Sequence, residues 1–324
     1  MRAAVLHTHG EPPSYGEHPE PVAADGRSIV RVTAAPVVPL DLLCASGTSY
    51  FGRPQLPYVP GVQGVGVVEQ SEAVAPGTRV FFATSAGMAA GDGSFAERCA
   101  VPDADLVVLD TPVADAHVAA LGLSAVAAWM ALTWRAQLQP GESVLVIGGG
   151  GAVGQVAIGA ARVLGAARVI AVCRSDAARD RALAAGADEV VASGADVDDL
   201  TTRLTGATGG SVDVVIDPVF GVPATAASRV LNAHGRLVNL GSSSGDDGAT
   251  FSSSVVRSRT ASILGYTNNA LTPEQRRDAL TAVLHLTSAG HISVAHETIA
   301  LPDVTTAWKR QSAGQTTGRL VLTI

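Results

Sequence analysis

A glycine-rich turn at residues 148–154 has the composition and spacing of a phosphate-binding loop, GxGxxG. It follows an apolar run at 143–147 and precedes a stretch with helical apolar spacing at 152–164. Glycine permits a tight turn, and its missing Cβ lets the backbone approach a pyrophosphate. The helix N-terminus then offers free N–H groups and a positive dipole end to that anion. The residues predicted to bind a dinucleotide here are Gly149, Gly151, Ala152, Val153 and Gly154.

The end of the next apolar run indicates which dinucleotide is bound. A carboxylate about 20 residues beyond the glycines would bind the ribose 2′-OH of NAD. That place holds Cys173, followed by Arg174 and Ser175. A cation and a hydroxyl favour a 2′-phosphate, which a carboxylate would repel. We therefore expect NADPH, with Arg179 adding charge to the same pocket. The alternative is that Asp176 serves NAD while Arg174 and Arg179 are solvated.

The stretch at 119–264 alternates strand-like and helical segments, which is typical of a parallel sheet. Six strands with intervening helices match a doubly wound, Rossmann dinucleotide-binding fold. Ser175 and Gly186 suit the two ends of a helix between the second and third strands. The predicted strands are 143–147, 168–172, 189–192, 213–216, 236–240 and 262–265.

The remaining segments have a different pattern. Residues 1–118 contain short apolar runs between Pro- and Gly-rich turns, which predicts a barrel-like sheet. The tail contains one helix at 273–288, preceded by a good N-cap, Thr272, and a final strand at 318–324. The fold class is therefore α/β, with a β-barrel part and a six-stranded parallel sheet.

The composition limits the classes of function. The 324 residues are 47% hydrophobic and 16% charged, which excludes a mainly disordered chain. The net charge of −7 argues against a general nucleic-acid binder. The longest uncharged run, 118–134, is shorter than the about 20 residues of a membrane span, so we interpret it as a buried helix with its approach loop. Three cysteines without a CxxC pair, and no signal-like start, lead us to expect a cytoplasmic protein without a membrane role.

Several segments together resemble the medium-chain dehydrogenase/reductase superfamily, and within it the zinc-free quinone oxidoreductase branch. The resemblance implies a GroES-like substrate domain from 1–118 together with 265–324, and a Rossmann NADPH-binding domain at 119–264. It also implies a homodimer paired through an edge strand at 261–266. The segments that carry the resemblance are 1–6, 39–43, 52–61, 64–66, 76–80, 93–97, 148–154, 213–221, 235–241 and 317–322.

The resemblance also bears on metal binding and on the reaction. Zinc-dependent relatives carry a Cys and a His-Glu pair where this chain has Val38, Val62 and Gln63, none of which is a usual zinc ligand. We therefore expect no metal. Hydride transfer without zinc needs an acceptor that is already electrophilic, such as a quinone or an α,β-unsaturated carbonyl.

Other site residues follow from the resemblance alone. It implies Tyr50 as a hydrogen-bond or proton donor, and Ser124 as a group that approaches the nicotinamide. The alternatives are a partly buried loop tyrosine and a helix N-cap. The implied substrate pocket comprises Val38, Asp41, Tyr50 and Val62, although Asp41 also suits a role in holding a loop. Further cofactor contacts are implied for Val219, Phe220, Asn239, Leu240 and Gly241.

Two departures from the family pattern affect the choice of acceptor. Many zinc-free relatives have an Asn at the position of Val38 and an Arg at the position of Gln315. Both changes make the pocket less polar and favour a more apolar, specialised acceptor. They also leave open a catalytically silent NADPH-binding sensor or structural protein.

Overall fold

The computed structural model describes all residues, 1–324. The chain forms two compact units: a terminal unit, Met1–Leu123 with Ala295–Ile324, and a central unit, Ser124–Val294. These bounds differ from the predicted domain limits, most of all at the second boundary, which was placed at 264/265. The reason is that the chain after the sheet packs on the central unit. A Cβ on Gly159 would lie only 3.0 Å from the His291 carbonyl oxygen.

The terminal unit is built on antiparallel β-structure. A seven-stranded sheet has the order β14-β15-β3-β4-β5-β7, with β6 also paired to β3, and β1 pairs with β2 separately. Only the β14–β15 pair is parallel. Strand β3 is buried along most of its length, and only Arg27 and Arg31 are exposed. The strands are β1 Arg2–Val5, β2 Ser14–Glu17, β3 Arg27–Pro36, β4 Gln63–Gln70, β5 Arg79–Ala83, β6 Arg98–Pro102, β7 Leu106–Val108, β14 His296–Ala300 and β15 Arg319–Thr323.

The central unit contains a six-stranded, all-parallel sheet with the order β10-β9-β8-β11-β12-β13. Helices cover both faces of such a sheet, which explains the nearly continuous apolar runs of its inner strands. The order reverses between β8 and β11, so the carboxyl ends of these two strands form the crevice where ligands bind in this fold. The strands are β8 Ser143–Ile147, β9 Arg168–Cys173, β10 Glu189–Ala192, β11 Val212–Asp217, β12 Leu231–Asn239 and β13 Ser262–Gly265.

All six predicted strands of this sheet are present, and one begins five residues earlier than predicted. Strand β12 starts at Leu231 instead of Arg236, because Leu231 already pairs with Val212. An irregularity follows, in which His234 has a φ of 60°. The short apolar pair Val230-Leu231 is followed by Asn232, so the sequence has no alternating pattern from which this start could be predicted.

Nine helices complete the two units. Helix α8 starts with a capping box in which Thr272 and Gln275 bond reciprocally, as its sequence predicted. The helices are α1 Pro39–Ser46, α2 Asp115–Met130, α3 Ala152–Val163, α4 Asp176–Ala184, α5 Val197–Thr208, α6 Val222–Ser228, α7 Ser253–Ser258, α8 Pro273–Ser288 and α9 Val304–Ser312.

Helix α2 continues through a π-helical turn to Arg135, and this segment is long and apolar enough to cross a membrane. Its mean hydropathy is 1.6, but 61% of its most apolar window is buried inside the protein. The core helix of a globular protein passes the same test of length and composition. The approach loop predicted before this helix is itself helical, because α2 starts at Asp115.

Candidate functional site

The glycine-rich turn joins β8 to α3 at the switch point of the parallel sheet. The N–H groups of Gly148 and Gly149 both donate to the Val172 carbonyl oxygen, at 2.9 and 3.1 Å, which ties the turn to β9. Gly148 has a φ of 71°, and Gly151 is the N-cap residue of α3. The first N–H groups of a helix have no partner within the helix. The turn therefore presents the amides of α3 at the carboxyl edge of the sheet.

The turn packs too tightly for side chains. A Cβ on Gly150 would lie 2.5 Å from the Ala178 Cα, and one on Gly154 would lie 2.3 Å from the Gly148 carbonyl oxygen. Real Cβ atoms do not approach so closely. Glycine is therefore required here by close backbone packing, in addition to the approach of a ligand.

The end of β9 lies directly beside this turn. Cys173 is buried, its Sγ lies 3.5 Å from the Ala178 carbonyl oxygen, and burial raises the pKa of its thiol. Arg174 and Ser175 are exposed. The Ser175 hydroxyl oxygen accepts a bond from the Ala178 N–H at 3.3 Å and caps α4, as its sequence predicted. The one-residue step from buried Cys173 to exposed Arg174 puts the guanidinium on the accessible side of the strand end.

Helix α4 carries two further arginines with different environments. Arg179 is exposed. Arg181 is half-buried, and its Nε donates to the Gly150 carbonyl oxygen at 2.9 Å. Sequence reasoning did not single out Arg181, since nothing local marks a contact between residues 31 positions apart.

The loops after β11 and β12 meet beside the turn. Buried Asp217 accepts bonds from the N–H groups of Val219 and Phe220, at 2.9 and 2.8 Å. Burial raises the pKa of the Asp217 carboxyl. Asn239 is the last residue of β12, and its side-chain amide donates to the Gly241 carbonyl oxygen at 2.8 Å. The predicted residues of both loops are thereby held in fixed conformations.

These loops also contact the glycine turn. A Cβ on Gly148 would lie 2.9 Å from the Val219 Cγ2. The Leu240 N–H donates to the Asp217 carbonyl oxygen at 2.9 Å. The structure therefore brings the predicted cofactor residues of the turn, of β9 and of both loops to one edge of the sheet. Asp217 was noted in the sequence only as part of a family motif, although it organises both loops.

Three of the predicted substrate residues, Val38, Asp41 and Val62, meet at the buried carboxylate of Asp41. Asp41 accepts hydrogen bonds from the N–H groups of Val38 and Val62, both at 2.9 Å. Asp41 therefore joins the start of α1 to the segment before β4, which agrees with the alternative role of holding a loop in place. Burial raises the pKa of Asp41 to about 7, against the opposing effects of these N–H groups and of Arg319. Val38 and Val62 are themselves buried.

The two predicted catalytic residues lie in contrasting environments. Tyr50 is 79% exposed, and its ring packs on Phe51 with the ring centroids 4.1 Å apart. Ser124 is half-buried within α2. The N-cap alternative for Ser124 is wrong, because the non-helical residue at this point of α2 is Gly122, with φ 37° and ψ −136°.

The residues at the positions of the zinc ligands do not fit a zinc ion. Val38 and Val62 carry no donor atom, and the Gln63 side-chain oxygen accepts a bond from the Leu123 N–H at 2.5 Å. No group of three or more His, Cys, Asp or Glu side chains is arranged to hold a metal ion. The thiols of Cys44 and Cys99 are buried, which raises their pKa values to about 11 and about 12.

Comparison with known families gives two separate matches. Residues 24–111 match the alcohol dehydrogenase GroES-like domain. Residues 152–305 match the zinc-binding dehydrogenase family. The second match begins at the first residue of α3 and covers five of the six parallel strands, and the first covers most of the antiparallel sheet.

Curated relatives include two kinds of protein. The chain is 30% identical over 303 residues to a phenolphthiocerol/phthiocerol polyketide synthase of Mycobacterium tuberculosis, which covers 91% of this chain and 13% of that protein. It is 30% identical over 228 residues to the quinone oxidoreductase of Pongo abelii, which covers 68% of this chain and 66% of that protein. The chain thus spans less than two thirds of the length of either relative.

Solved structures resemble the whole chain. A mycobacterial protein in complex with NADPH superposes with a TM-score of 0.88, at 25% identity and with all of both chains covered. The quinone oxidoreductase of Pseudomonas syringae pv. Tomato DC3000 superposes with a TM-score of 0.87, at 25% identity, covering 100% of this chain and 99% of that one.

Proposed function

Because the chain belongs to the medium-chain dehydrogenase/reductase superfamily, we propose that it is a zinc-independent, NADPH-dependent oxidoreductase that reduces a quinone or an α,β-unsaturated carbonyl. The central observation is the glycine turn at the switch point, flanked by Arg174 and Ser175 where an NAD enzyme would carry a carboxylate. A structural neighbour in complex with NADPH and a quinone oxidoreductase among the relatives support the same assignment.

The central unit has the groups that such a nucleotide needs. The free N–H groups at the start of α3 can bind a pyrophosphate, and the positive end of the helix dipole attracts the same anion. Exposed Arg174 can form charge-assisted bonds to a 2′-phosphate, and the Ser175 hydroxyl can donate one while its oxygen caps α4. Arg179 adds positive charge one turn further along the helix. Val219, Phe220 and the 239–241 backbone would hold the nicotinamide end.

The chemistry then depends on an acceptor that is already activated. Bound NADPH supplies a hydride from nicotinamide C4. Zinc would otherwise polarise the acceptor carbonyl, but the donor set at Val38, Val62 and Gln63 does not fit that ion. A quinone or enone needs only correct positioning, a hydrogen-bond donor at the developing oxyanion and a proton.

We propose that two hydroxyl groups, those of Tyr50 and Ser124, donate the hydrogen bond or the proton to the acceptor. The Tyr50 hydroxyl, exposed on its loop, can donate a hydrogen bond or a proton to an acceptor oxygen. Ser124 carries the second hydroxyl, next to the Gly122 break in α2. Val38 and Val62 give the pocket an apolar wall, and Asp41 holds both segments in place.

The direct test is consumption of NADPH by the purified, chelator-treated protein with an ortho-quinone as acceptor, and NADH in parallel. Turnover with NADPH, weak turnover with NADH and no effect of the chelator would support the proposal. A preference for NADH would contradict the role of Arg174. Silence with the quinone but turnover with an enone would restrict the acceptor to the second class.

A second candidate is a catalytically silent NADPH-binding sensor or structural protein. Two observations favour it: Val38 cannot form side-chain hydrogen bonds, and Tyr50 is 79% exposed. This candidate predicts that NADPH binds in a calorimetric titration while quinone and enone panels give no turnover. Turnover with any acceptor would exclude it.

We also propose a homodimer that pairs through β13, which is an edge strand of the central sheet. Its first three residues are half-buried in the single chain and Gly265 is exposed. Beside the strand, the ring centroids of Trp134 and Tyr266 lie 6.3 Å apart. A monomer mass in light scattering at assay concentration would refute this arrangement.

A further inference from the structure

Arg181 on helix α4 contacts the glycine turn of the proposed cofactor site. The Gly150 carbonyl oxygen accepts a bond from Arg181 Nε at 2.9 Å and another from Gln155 Nε2 at 3.1 Å. The N–H at the other end of the same peptide, on Gly151, donates to the Gly148 carbonyl oxygen at 3.0 Å. The 150–151 peptide plane is therefore fixed at both ends.

This plane controls the groups that would meet a pyrophosphate. Gly151 is the N-cap of α3, so the orientation of its peptide sets the direction of the first free N–H groups of that helix. A peptide carbonyl carries a partial negative charge, which disfavours an anion nearby. The guanidinium of Arg181 compensates that charge, whereas the neutral amide of Gln155 supplies only a bond.

The approach of α4 makes this contact possible. Gly150 has no side chain, and a Cβ there would lie 2.5 Å from the Ala178 Cα. Helix and turn are therefore in direct backbone contact, and Arg181, one turn beyond Ala178, lies at the right distance to reach over it. Arg174 and Arg179 are exposed and make no such contact with the turn.

We propose that Arg181 is a positioning residue for dinucleotide binding, acting through the Gly150 carbonyl on the pyrophosphate-binding amides of α3. This inference rests on the proposed function. It assigns different tasks to two arginines. Arg174 distinguishes NADPH from NADH through the 2′-phosphate. Arg181 instead supports binding of the pyrophosphate, which both nucleotides contain.

The test measures the dissociation constants of NADPH and NADH by titration calorimetry for wild type, Arg181→Gln and Arg181→Lys. We expect Arg181→Gln to raise both constants by about tenfold or more, with their ratio unchanged, because a charge-assisted bond is lost. Arg181→Lys keeps the charge and one donor, so it should recover part of the affinity. Arg277→Gln, an equal charge change on exposed α8, serves as the control and should leave both constants within twofold.

A second measurement examines the turn without any nucleotide. Hydrogen–deuterium exchange of the 148–155 segment should become faster in Arg181→Gln, while exchange in the β8 core and the melting temperature change little. This readout separates a positioning effect from general unfolding. If Arg181→Gln is unstable, the same comparison is made with Arg181→Lys.

The outcomes are distinguishable. Unchanged constants for both nucleotides in Arg181→Gln, with wild type binding NADPH, would overturn this inference and leave the proposed function intact. Loss of NADPH affinity alone would mean that Arg181 contacts the 2′-phosphate, which also overturns it. Failure of wild type to bind either nucleotide would overturn the proposed function and this inference with it.

Discussion

The side-chain oxygen of Gln63 accepts a hydrogen bond from the backbone N–H of Leu123, 2.5 Å away. The two residues are 60 positions apart, and Gln63 is 1% exposed. Leu123 directly follows Gly122, where α2 departs from helical geometry. The Gln63 side chain therefore acts as a remote cap for the α2 backbone at this break.

Loss of this cap should destabilise the protein. Gln63→Leu removes the acceptor of this hydrogen bond, so we expect the free energy of unfolding to fall by about 0.5–1.5 kcal/mol in urea denaturation. Gln70→Leu, at the exposed end of the same strand, is the matched control and should change it by less than about 0.5 kcal/mol. Equal effects of the two substitutions would contradict the capping role.

Arg174 should determine the preference between the two nucleotides. Arg174→Gln removes a charged donor to the 2′-phosphate, so the dissociation constant of NADPH should rise by about 10- to 100-fold. The constant of NADH, which lacks that phosphate, should stay within twofold. Calorimetric titration of both nucleotides checks this, with Arg277→Gln as a control of equal charge change. A parallel loss of NADH affinity would show that Arg174 acts elsewhere.

Close packing at Gly150 should make even a methyl group costly. Gly150→Ala places a Cβ 2.5 Å from the Ala178 Cα, so α4 or the turn must shift. We expect a loss of about 1–3 kcal/mol in unfolding free energy together with weaker NADPH binding. Gly206→Ala is the control, because it lies in α5 with open space around its Cβ position. It should stabilise the protein by up to about 1 kcal/mol, and a stabilising effect at Gly150 as well would refute the packing argument.

Asp41 should make stability depend on pH. Its pKa is about 7 in the folded protein, above the 3.8 of an unperturbed Asp, because burial disfavours the charge. The folded state therefore holds this proton more tightly than the unfolded state. The contribution of this proton to the free energy of unfolding is fully present below about pH 4 and is lost as the pH rises through 7.

The variant Asp41→Asn isolates this dependence. Between pH 5 and 8 the wild type should lose roughly 2 kcal/mol more unfolding free energy than Asp41→Asn, since one pKa unit corresponds to about 1.4 kcal/mol. Asp25→Asn, at an exposed position of the same unit, should follow the wild-type profile. Superimposable profiles for wild type and Asp41→Asn would show that Asp41 is ionised throughout this range.

Much of the central unit could be predicted from the sequence. The strand before the glycine turn, the helix after it and five further strands each have a local pattern, and all were found. Local caps were also predictable, because Ser175 and Thr272 bond to residues three positions away. Contacts of this kind depend on neighbours in the chain, so a single sequence contains the necessary information.

Other features were not predictable in this way. The late unit boundary at Val294 results from packing of the chain after α8 on α3, which no local pattern records. Gln63 was considered only as a residue unable to bind zinc, and Arg181 was not considered at all. Both act through bonds to distant backbone atoms, and polar side chains of these types are usually exposed.

The sequence alone determined the order of elements, the dinucleotide-binding turn and the absence of a carboxylate at the end of β9, because these depend on residue types within one or two elements. Only the tertiary structure decided which polar side chains hold those elements in position. Asp41, Gln63, Arg181 and Asp217 each fix a backbone segment through hydrogen bonds that form once the chain has folded. Burial sets the strength of such bonds, and burial is a property of the whole packed chain.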